Sequence, residues 1–306
     1  MAKILIATEK PFAKVAVDGI KEVAETAGLE VVLLEKYTEK AQLLAAVADV
    51  EAMIIRSDKI DNEVFDAAKN LKIVVRAGAG YDNVDLAAAT AHGVVVMNTP
   101  GQNSNAVAEP VFGMLVFAVR NFYNGKAGTE LKGKKLGILA YGNVGRRVAH
   151  IAKGFDMDVY AYDAYCPAAA IESDGVKAVS SQDELFEKCE VVSLHIPATA
   201  ETRQSINYAL VGKMPKGGVL VNTARKEVIN EPELLKLMQE RTDLKYVTDI
   251  MPEADADFRI LEGRYFSTPK KMGAQTAEAN INAGVAAAHQ IAAFFKDGCT
   301  KYQVNK

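Results

Sequence analysis

The segment TPKKMGAQTAEA, residues 268 to 279, places two adjacent lysines between a Thr-Pro pair and a Gly-Ala-Gln-Thr turn. A lysine ammonium can donate a proton to a carbonyl oxygen, and a neutral amine can remove a hydroxyl proton. The reference pKa of lysine, about 10.4, is high for base catalysis, but a second cation and burial each lower it. We predict that Lys270 and Lys271 form an acid/base pair, with a slight preference for Lys271 as the proton carrier. The alternative is a pair of solvated loop lysines in an inactive site.

A second candidate site is KKLGILAYGNVGRRVAHIAKGFDMDVYAYD, in which an apolar strand runs into AYGNVG, a helix, and a second strand that ends in Asp163. This order is typical of a dinucleotide-binding unit, where glycines permit a tight turn and close approach of a pyrophosphate. Ala140 stands where the first glycine is usual. We expect the turn to bind pyrophosphate provided that Ala140 needs no positive φ; the binding residues are Gly142, Asn143, Val144 and Gly145. Close packing of helix on strand is the alternative role of these glycines.

Asp163 ends the second strand of this unit. Its carboxylate can accept hydrogen bonds from both hydroxyls of a ribose, and its negative charge repels a 2′-phosphate. The sequence therefore favours NAD over NADP.

Arginines follow strands in two further segments. GGVLVNTARKEVINE places Arg225 directly after a predicted strand, and the EAMIIRS and KIVVRAGAGYDNVD segments place Arg56, Ser57 and Arg76 at the ends of two others. Ligands bind at the carboxyl ends of parallel strands, and a guanidinium offers a fixed fork of donors to a carboxylate or keto oxygen. These residues alone leave two roles open for each arginine. In one, Arg225 binds such a group, and Arg56 and Arg76 converge on one anion. The alternative is that each arginine pairs with a nearby acid.

Short β-branched runs alternate with longer helical segments along the chain, a pattern that predicts parallel sheets covered by helices on both faces. The first five strands are predicted at 3–8, 29–34, 51–57, 72–78 and 93–98, and the second series at 134–142, 157–163, 176–179, 190–197, 217–225, 245–250 and 264–269. The fold class is therefore α/β, with two doubly wound sheets.

Two apolar helices flank the second series of strands. The segment 103–122 is dense in apolar residues, and we expect a helix there that contributes to a homodimer interface. The segment 278–298 is Ala-rich and ends in Lys-Asp-Gly, which predicts a helix with a glycine C-cap. We expect no folded element after it.

Composition restricts the possible partners. The 306 residues carry a formal charge of -3, and 49% of them are hydrophobic. This balance gives no general attraction to nucleic acid or to an anionic membrane. We expect ordinary buried thiols at Cys166, Cys189 and Cys299, because their spacing matches neither a disulfide framework nor a metal site. The N-terminus enters a strand pattern at once, so we expect a cytoplasmic protein. We also expect no metal site.

The motifs together resemble the D-isomer-specific 2-hydroxyacid dehydrogenase family over essentially the whole chain. Successive blocks of the family are similar, in order, to RSDKI, VVRAGAGYDNVDLAAATAHGVVVMNTPGQNS, LKGKKLGILAYGNVGRRVA, SLHIPATAETRQSIN and VLVNTARKEVINE. The resemblance implies a Rossmann-type NAD domain, 99–276, inserted in a flavodoxin-like substrate domain, 1–98 plus 277–306.

The same resemblance implies roles for individual residues. Those that would hold a substrate's phosphate and carboxylate are Arg56, Ser57, Arg76 and Asn103. Arg225 would bind the carboxylate and the reacting oxygen. Those that would lie against the cofactor, besides the turn described above, are Asp163, His195, Pro197, Thr202, Thr223, Ala224 and Asp249. His195 is expected to be structural and not the proton carrier.

The chain departs from the family pattern at the acid/base pair. The usual glutamate position holds Ala254, flanked by Glu253 and Asp255, and lysines replace the histidine that usually follows Thr-Pro. The glutamate orients an imidazole, so a site without imidazole has no need of it. The sequence leaves open whether Glu253 or Asp255 replaces it. The pattern resembles the short-form phosphoglycerate dehydrogenase subgroup, which has lysine here and lacks a C-terminal regulatory domain.

The resemblance implies NAD-dependent interconversion of 3-phospho-D-glycerate and 3-phosphohydroxypyruvate, the first step of serine biosynthesis. One alternative is a hydroxypyruvate or glyoxylate reductase of the same family. The other is a catalytically inactive, NAD(H)-sensing corepressor-like protein, for which the altered loop is the only support.

Overall fold

A computed structural model describes residues 1–305. In this range the strands are β1 (Lys3–Thr8), β2 (Glu30–Glu35), β3 (Ala52–Ile55), β4 (Ile73–Arg76), β5 (Val95–Asn98), β6 (Lys135–Leu139), β7 (Asp158–Tyr162), β8 (Lys177–Ala178), β9 (Val191–Leu194), β10 (Val219–Asn222), β11 (Lys245–Thr248) and β12 (Tyr265–Ser267). The helices are α1 (Lys14–Thr26), α2 (Lys40–Val47), α3 (Asn62–Ala67), α4 (Leu86–Ala91), α5 (Ser104–Val119), α6 (Asn143–Gly154), α7 (Ala168–Glu172), α8 (Gln182–Lys188), α9 (Tyr208–Val211), α10 (Glu231–Glu240), α11 (Asp255–Arg259) and α12 (Ala277–Asp297).

The chain forms two compact units, residues 1–103 with 276–306 and residues 104–275. Each contains its own sheet of parallel strands, so the predicted α/β class with two doubly wound sheets is confirmed.

The sheet of the first unit has the strand order β2-β1-β3-β4-β5. β3 and β4 are short apolar runs, AMII and IVVR, and almost every residue in them is buried. This pattern fits central strands of a parallel sheet covered on both faces. The order reverses between β1 and β3, and ligands bind at the carboxyl ends of the strands on either side of such a point. Arg56 directly follows β3, and Arg76 ends β4.

The sheet of the second unit has the order β12-β11-β10-β9-β6-β7-β8. β9 and β10, VVSL and VLVN, are buried throughout. The order reverses between β6 and β9, whose registered ends are Leu139 and Leu194. The residues that follow these strands and their neighbours are therefore brought to one edge of the sheet. They include Ala140, His195 and Thr223.

The helix α12 closes the first unit. The Thr276 hydroxyl accepts a hydrogen bond from the Ala279 amide at 3.1 Å and caps its first turn. Gly298, with φ of 65°, ends it as predicted, because glycine adopts the left-handed conformation without steric cost. One face of the helix packs on α1 and the sheet through small residues, among them Ala283 and Ala287.

The prediction that nothing folded follows α12 is wrong. Gln303 forms an antiparallel bridge with Met97 of β5, and the Val304 amide donates to the Val96 carbonyl at 2.9 Å. The side chain of Asn305 is buried, accepts from the Val96 amide and donates to the Val94 carbonyl, each at 2.8 Å. The sequence KYQVN is polar and has no hydrophobic periodicity, so it does not predict these contacts. They are backbone hydrogen bonds and the bonds of one buried side-chain amide. We call residues 299–305 the C-terminal clasp.

The prediction for the cysteines is partly wrong. Cys189 is buried, and its burial raises the pKa of the thiol to about 12. Cys166 is half-buried, and Cys299 is exposed at the start of the C-terminal clasp. Within residues 1–305, no helix has the length and apolarity needed to cross a membrane. The same residues contain no group of three or more histidines, cysteines and acids that could hold a metal ion.

Replacing Asn305 with alanine tests the C-terminal clasp. The variant leaves the Val96 amide and the Val94 carbonyl without their partners, so we expect the free energy of unfolding to fall by about 2 to 4 kcal/mol. Urea denaturation measures this change. Lys296→Ala, an exposed position at the end of α12, is the control and should change stability little. An Asn305→Ala variant as stable as the control would contradict the assignment.

Candidate functional site

The carbonyl oxygen of Ala224 is shared by two cations. Lys271 Nζ donates a hydrogen bond to it at 3.0 Å, and Arg225 Nη1 donates to the same oxygen at 2.9 Å. Ala224 lies in the loop directly after β10, and Lys271 lies in the loop after β12. The structure therefore brings together the arginine and the preferred lysine that the sequence identified from separate segments.

Asn222, which the sequence analysis missed, holds this loop in place. Its side chain is fully buried, accepts from the Ala224 amide at 2.9 Å and donates to the Arg225 carbonyl at 3.0 Å. These two bonds fix the backbone on both sides of the shared carbonyl. The sequence signal for this role is the position of Asn222, a polar residue at the end of the otherwise apolar strand VLVN.

The surroundings of Lys271 change its protonation. Burial of the ammonium, followed by the positive charge of Arg225, lowers the pKa of Lys271 to about 8, although Asp249 and Glu227 act in the opposite direction. The residue as a whole is exposed, although its ammonium donates to the Ala224 carbonyl. A group with this pKa can change charge near neutral pH, which general acid/base catalysis requires.

Lys270 has a different environment. Its side chain is exposed, and its backbone carbonyl accepts a hydrogen bond from the Thr268 hydroxyl at 2.7 Å. That bond turns the loop after the Thr-Pro pair. The two adjacent lysines therefore have different surroundings.

Glu253 and Asp255, the two acids that flank the usual glutamate position, are engaged elsewhere. Glu253 is exposed and pairs with Lys226 at 2.9 Å. Asp255 accepts from Arg259 Nε and from the Tyr265 hydroxyl, each at 2.6 Å. The acids that act electrostatically on Lys271 are instead Asp249 and Glu227, and Glu227 was not identified from the sequence.

Asp249 and Thr223 present buried polar atoms beside this loop. Asp249 Oδ2 accepts from the Gly273 amide at 2.6 Å, whereas its Oδ1 and the Thr223 hydroxyl are buried and make no hydrogen bond within residues 1–305. Burial raises the pKa of Asp249, and the Gly273 amide and Lys271 partly oppose that rise. Buried atoms without partners are costly unless a ligand satisfies them. Both residues were predicted to lie against the cofactor, and their free atoms fit a polar group there.

The dinucleotide turn differs from expectation at Ala140. Its φ is 76°, in the left-handed region that favours glycine, so the condition set for this turn, that Ala140 needs no positive φ, is not met. The turn is held by hydrogen bonds on both sides: the Ala140 amide donates to the Tyr162 carbonyl at 2.9 Å, and the Tyr141 amide to Asp163 Oδ2 at 2.7 Å. These contacts maintain the conformation against a strain of roughly 1 to 2 kcal/mol.

Gly142 and Gly145 have separate roles in the turn. A Cβ on Gly145 would lie 2.4 Å from the Ala140 carbonyl oxygen, so helix α6 packs directly on the turn. A Cβ on Gly142 would meet no protein atom within 4 Å. Gly142, Asn143 and Val144 begin α6 without a side-chain cap, and the amides of a first helical turn have no intrahelical acceptor. The open space and these amides fit a pyrophosphate.

Asp163 lies at the end of β7 and binds backbone amides. Oδ2 contacts the Tyr141 amide, and Oδ1 accepts from the amides of Tyr165 and Cys166 at 2.7 and 2.8 Å. The carboxylate is thereby fixed beside the dinucleotide turn. Oδ2 keeps one lone pair for a ribose hydroxyl, because a carboxylate has about four acceptor sites and these amides use three of them.

The loop after β9 contains three of the predicted cofactor residues. Burial lowers the pKa of His195 to about 3, and its Nε2 lies 2.9 Å from the Ser193 hydroxyl. A histidine that is neutral at physiological pH suits the expected structural role. The Thr202 hydroxyl donates to the Pro197 carbonyl and accepts from the Thr199 amide at 2.8 Å, so these residues stabilise the loop itself.

Arg56 and Arg76 meet at the carboxyl edge of the first sheet. Arg76 Nε donates to the Arg56 carbonyl at 3.0 Å. The Arg56 guanidinium donates to the Lys10 and Pro11 carbonyls at 2.9 and 3.0 Å and to Asn280 Oδ1 at 2.7 Å. These three partners are neutral oxygens, and burial lowers the pKa of Arg56. Ser57 is exposed beside them, and Asn103 is half-buried at the end of the same unit.

Two further residues position these arginines. Asp58, almost fully buried, accepts from the Glu9 amide at 2.8 Å, from the Tyr37 hydroxyl at 2.8 Å and from the Arg56 amide at 3.2 Å. Gly78 has φ of 150°, and a Cβ there would lie 1.6 Å from Arg76 Nη1. The Gly-rich turn therefore leaves the space that the Arg76 guanidinium occupies. The sequence analysis identified neither role.

Gly145→Ala tests the dinucleotide turn. The added methyl group displaces the Ala140 carbonyl, so we expect NADH to bind roughly tenfold more weakly or worse. Titration of NADH fluorescence measures the affinity. Gly154→Ala is a matched control in the same helix, because a Cβ there meets no atom within 4 Å. Equal affinities for the two variants would exclude this position as the pyrophosphate site.

Comparison with solved structures supports the same fold and cofactor. The crystal structure of NAD⁺-bound 3-phosphoglycerate dehydrogenase from Entamoeba histolytica is 49% identical to the chain, with a TM-score of 0.86, and the match covers 100% of this chain and 99% of that one. The structure of a D-2-hydroxyisocaproate dehydrogenase is 20% identical with a TM-score of 0.85, which shows the shared fold alone.

Curated relatives agree on the family. The D-3-phosphoglycerate dehydrogenase of Methanocaldococcus jannaschii is 34% identical over 90% of this chain and 55% of the relative. The hydroxypyruvate reductase of Thermotoga maritima is 34% identical over 86% of this chain and 90% of the relative. The chain spans about half the length of the curated phosphoglycerate dehydrogenases it matches, with 44 to 56% covered in the first three relatives of that name.

The family model of the D-isomer specific 2-hydroxyacid dehydrogenase NAD-binding domain matches residues 115–265, which confirms NAD as the predicted cofactor. With the relatives above and the site geometry, this match shows that the chain belongs to the D-isomer-specific 2-hydroxyacid dehydrogenase family.

Proposed function

We propose that this protein is an NAD-dependent oxidoreductase that interconverts 3-phospho-D-glycerate and 3-phosphohydroxypyruvate, and that it serves serine biosynthesis. The observation that carries the proposal is the Ala224 carbonyl, which holds Lys271 and Arg225 side by side. In this proposal the unit of residues 104–275 binds the cofactor, and the other unit binds the phosphorylated end of the substrate.

The site residues divide the chemistry between them. Bound NAD supplies the hydride acceptor or, in its reduced form, the hydride donor. In the reductive direction Arg225 donates hydrogen bonds to the substrate carboxylate and keto oxygen. As C2 receives the hydride, the Lys271 ammonium gives its proton to that oxygen, and solvent later protonates the amine again. In the oxidative direction the neutral amine removes the hydroxyl proton.

The anion end of the substrate is assigned to the first unit. Arg56 and Arg76 are adjacent at the carboxyl edge of its sheet, with Ser57 and Asn103 as further donors. A phosphate dianion suits such donors, because charge-assisted hydrogen bonds are the stronger ones.

A hydroxypyruvate reductase is the second candidate function. The relative of that name from Thermotoga maritima is matched over 90% of its length, whereas the curated phosphoglycerate dehydrogenase of Methanocaldococcus jannaschii is matched over 55%. The two functions share the reacting groups and differ in the need for a phosphate. Their comparison therefore tests the assignment of the arginines.

Lys271→Met and Lys270→Met form a matched pair for the proton carrier. We expect Lys271→Met to lose about 10²- to 10⁴-fold in kcat, the range for a general acid/base, with NADH binding retained. Lys270→Met should keep most of the activity. NADH oxidation with 3-phosphohydroxypyruvate measures both rates.

The pH dependence gives an independent readout on the wild type. Reduction needs the ammonium, so its rate should fall as pH rises through about 8, and oxidation needs the amine and should rise through the same value. If Lys270→Met loses the activity instead, the assignment of Lys271 is wrong. NADH binding without turnover by the wild type would favour the inactive sensor.

Substrate preference is tested with 3-phosphohydroxypyruvate and unphosphorylated hydroxypyruvate. We expect the wild type to prefer the phosphorylated compound and Arg76→Gln to lose about tenfold to hundredfold of kcat/KM for it, with little change for hydroxypyruvate. The ratio of the two kcat/KM values is the measurement. Equal values for the wild type would favour the hydroxypyruvate reductase.

We also propose a homodimer formed through α5 and the turn after it. Tyr123 is 67% exposed and contacts Phe117 at a ring distance of 5.5 Å, and Phe117 also makes edge-to-face contacts with Phe122 and Phe266. Asn121, Phe122 and Tyr123 all have positive φ, between 51° and 55°. Such strain requires support from the surroundings, here the aromatic cluster and Lys245, which donates to Asn121 Oδ1 at 2.8 Å.

Light scattering at micromolar concentration tests this interface. We expect a dimer for the wild type and a shift to monomer for Tyr123→Asp, because a charge would be buried without a partner. Tyr165→Asp, at another exposed tyrosine, is the control and should remain dimeric. A monomeric wild type would refute the proposal.

A further inference from the structure

A pocket of about 490 Å³ lies in the first unit. Its lining contains none of the residues assigned to the reaction. Small-molecule sites usually occupy about 300 to 1,000 Å³. One wall is a face of α12 with residues three or four positions apart, including Asn282, Ala286 and His289. The opposite face of this helix is buried in the core of the unit.

The other walls are fixed parts of the same unit. Met97 lies in β5, and Pro100 and Gln102 follow that strand. Gln290 Nε2 donates to the Asn98 carbonyl at 3.0 Å and joins this segment to α12. Hydrogen bonds already join the segments that form the pocket. The pocket is therefore preorganised for a ligand.

The C-terminal clasp supplies the third wall through Cys299, Lys301 and Tyr302. The bridge to Met97 and the buried Asn305 fasten this segment along β5. The function proposed above uses none of these residues. The clasp therefore closes a cavity that the proposed reaction does not need.

The pocket lining includes a positively charged side chain and no negatively charged one. Lys301 is the cation, His289 adds an imidazole, and the lining contains no aspartate or glutamate. Within residues 1–305, Lys301 forms no ion pair, and its ammonium lies 5.3 Å from the ring centre of Tyr302. A cation without an acid partner at the rim of a pocket favours an anionic ligand.

We infer that this pocket binds a small organic monocarboxylate with a short apolar body. Lys301 pairs with the carboxylate, and Gln102 and Asn282 offer amide groups to its polar substituents. Met97, Val285 and Ala293 contact the apolar part. A phosphate dianion fits less well, because phosphate sites usually supply several cations or a bidentate arginine.

Alkylation of Cys299 reports on the pocket directly. This thiol is exposed and lines the cavity, whereas Cys189 is buried. In a Cys166→Ser background, we would measure the rate of N-ethylmaleimide labelling of Cys299 with isovalerate or L-valine present. Neither compound has a 2-hydroxyl or 2-keto group, so neither is a substrate of the proposed reaction. We expect a saturable decrease in the labelling rate.

Charge and shape are tested by variants and a neutral analogue. Lys301→Gln should raise the half-protecting concentration about tenfold, the loss of one charge-assisted hydrogen bond, and Ala286→Phe should abolish protection by filling the cavity. Lys296→Gln, an exposed lysine outside the lining, should behave like the wild type. No protection up to tens of millimolar, equal protection by isovaleramide, or unchanged protection in Lys301→Gln would each overturn the inference.

Discussion

The candidate site depends on two hydrogen bonds to one atom, the backbone carbonyl oxygen of Ala224. It accepts hydrogen bonds from two cations, and an oxygen that carries only a partial negative charge cannot neutralise both. The remaining repulsion from Arg225 adds to burial in lowering the pKa of Lys271 to about 8. If an aspartate held the lysine at this point, the opposite shift would follow. A neutral acceptor therefore holds the lysine without fixing its charge.

The position of that carbonyl follows from the sheet. β10 and β11 are parallel neighbours with Asn222 opposite Thr248, so the loops that follow them leave the same edge. This part of the site could be predicted from the sequence, because apolar runs mark the strands and polar residues mark their ends. The parallel arrangement then brings Arg225 and Asp249 to one edge. The pairing of Lys271 with Ala224 could not be predicted, since a loop's path depends on contacts distant in sequence.

The misses of the sequence analysis share a physical cause. Asn222, Asp58 and Asn305 are buried polar side chains that satisfy backbone groups of residues near in space. Their patterns in the sequence do not differ from those of exposed polar residues, because neither hydropathy nor spacing reports a hydrogen-bond partner. Ala140 is the converse case: its type indicates an ordinary φ, but the Tyr162 carbonyl and Asp163 impose a left-handed one.

In the proposed mechanism a lysine takes the place of the family's histidine–glutamate pair. The acids near the lysine then have a different role from that glutamate. An imidazole needs a carboxylate to select its tautomer and to stabilise its protonated form. A lysine has three equivalent donors and no tautomer, and a carboxylate in direct contact would hold it as an ammonium. The structure keeps Glu253 on Lys226 and Asp255 on Arg259, while Asp249 binds the Gly273 amide. Within the proposed mechanism, loss of the glutamate therefore removes a carboxylate that would keep the lysine protonated near neutral pH.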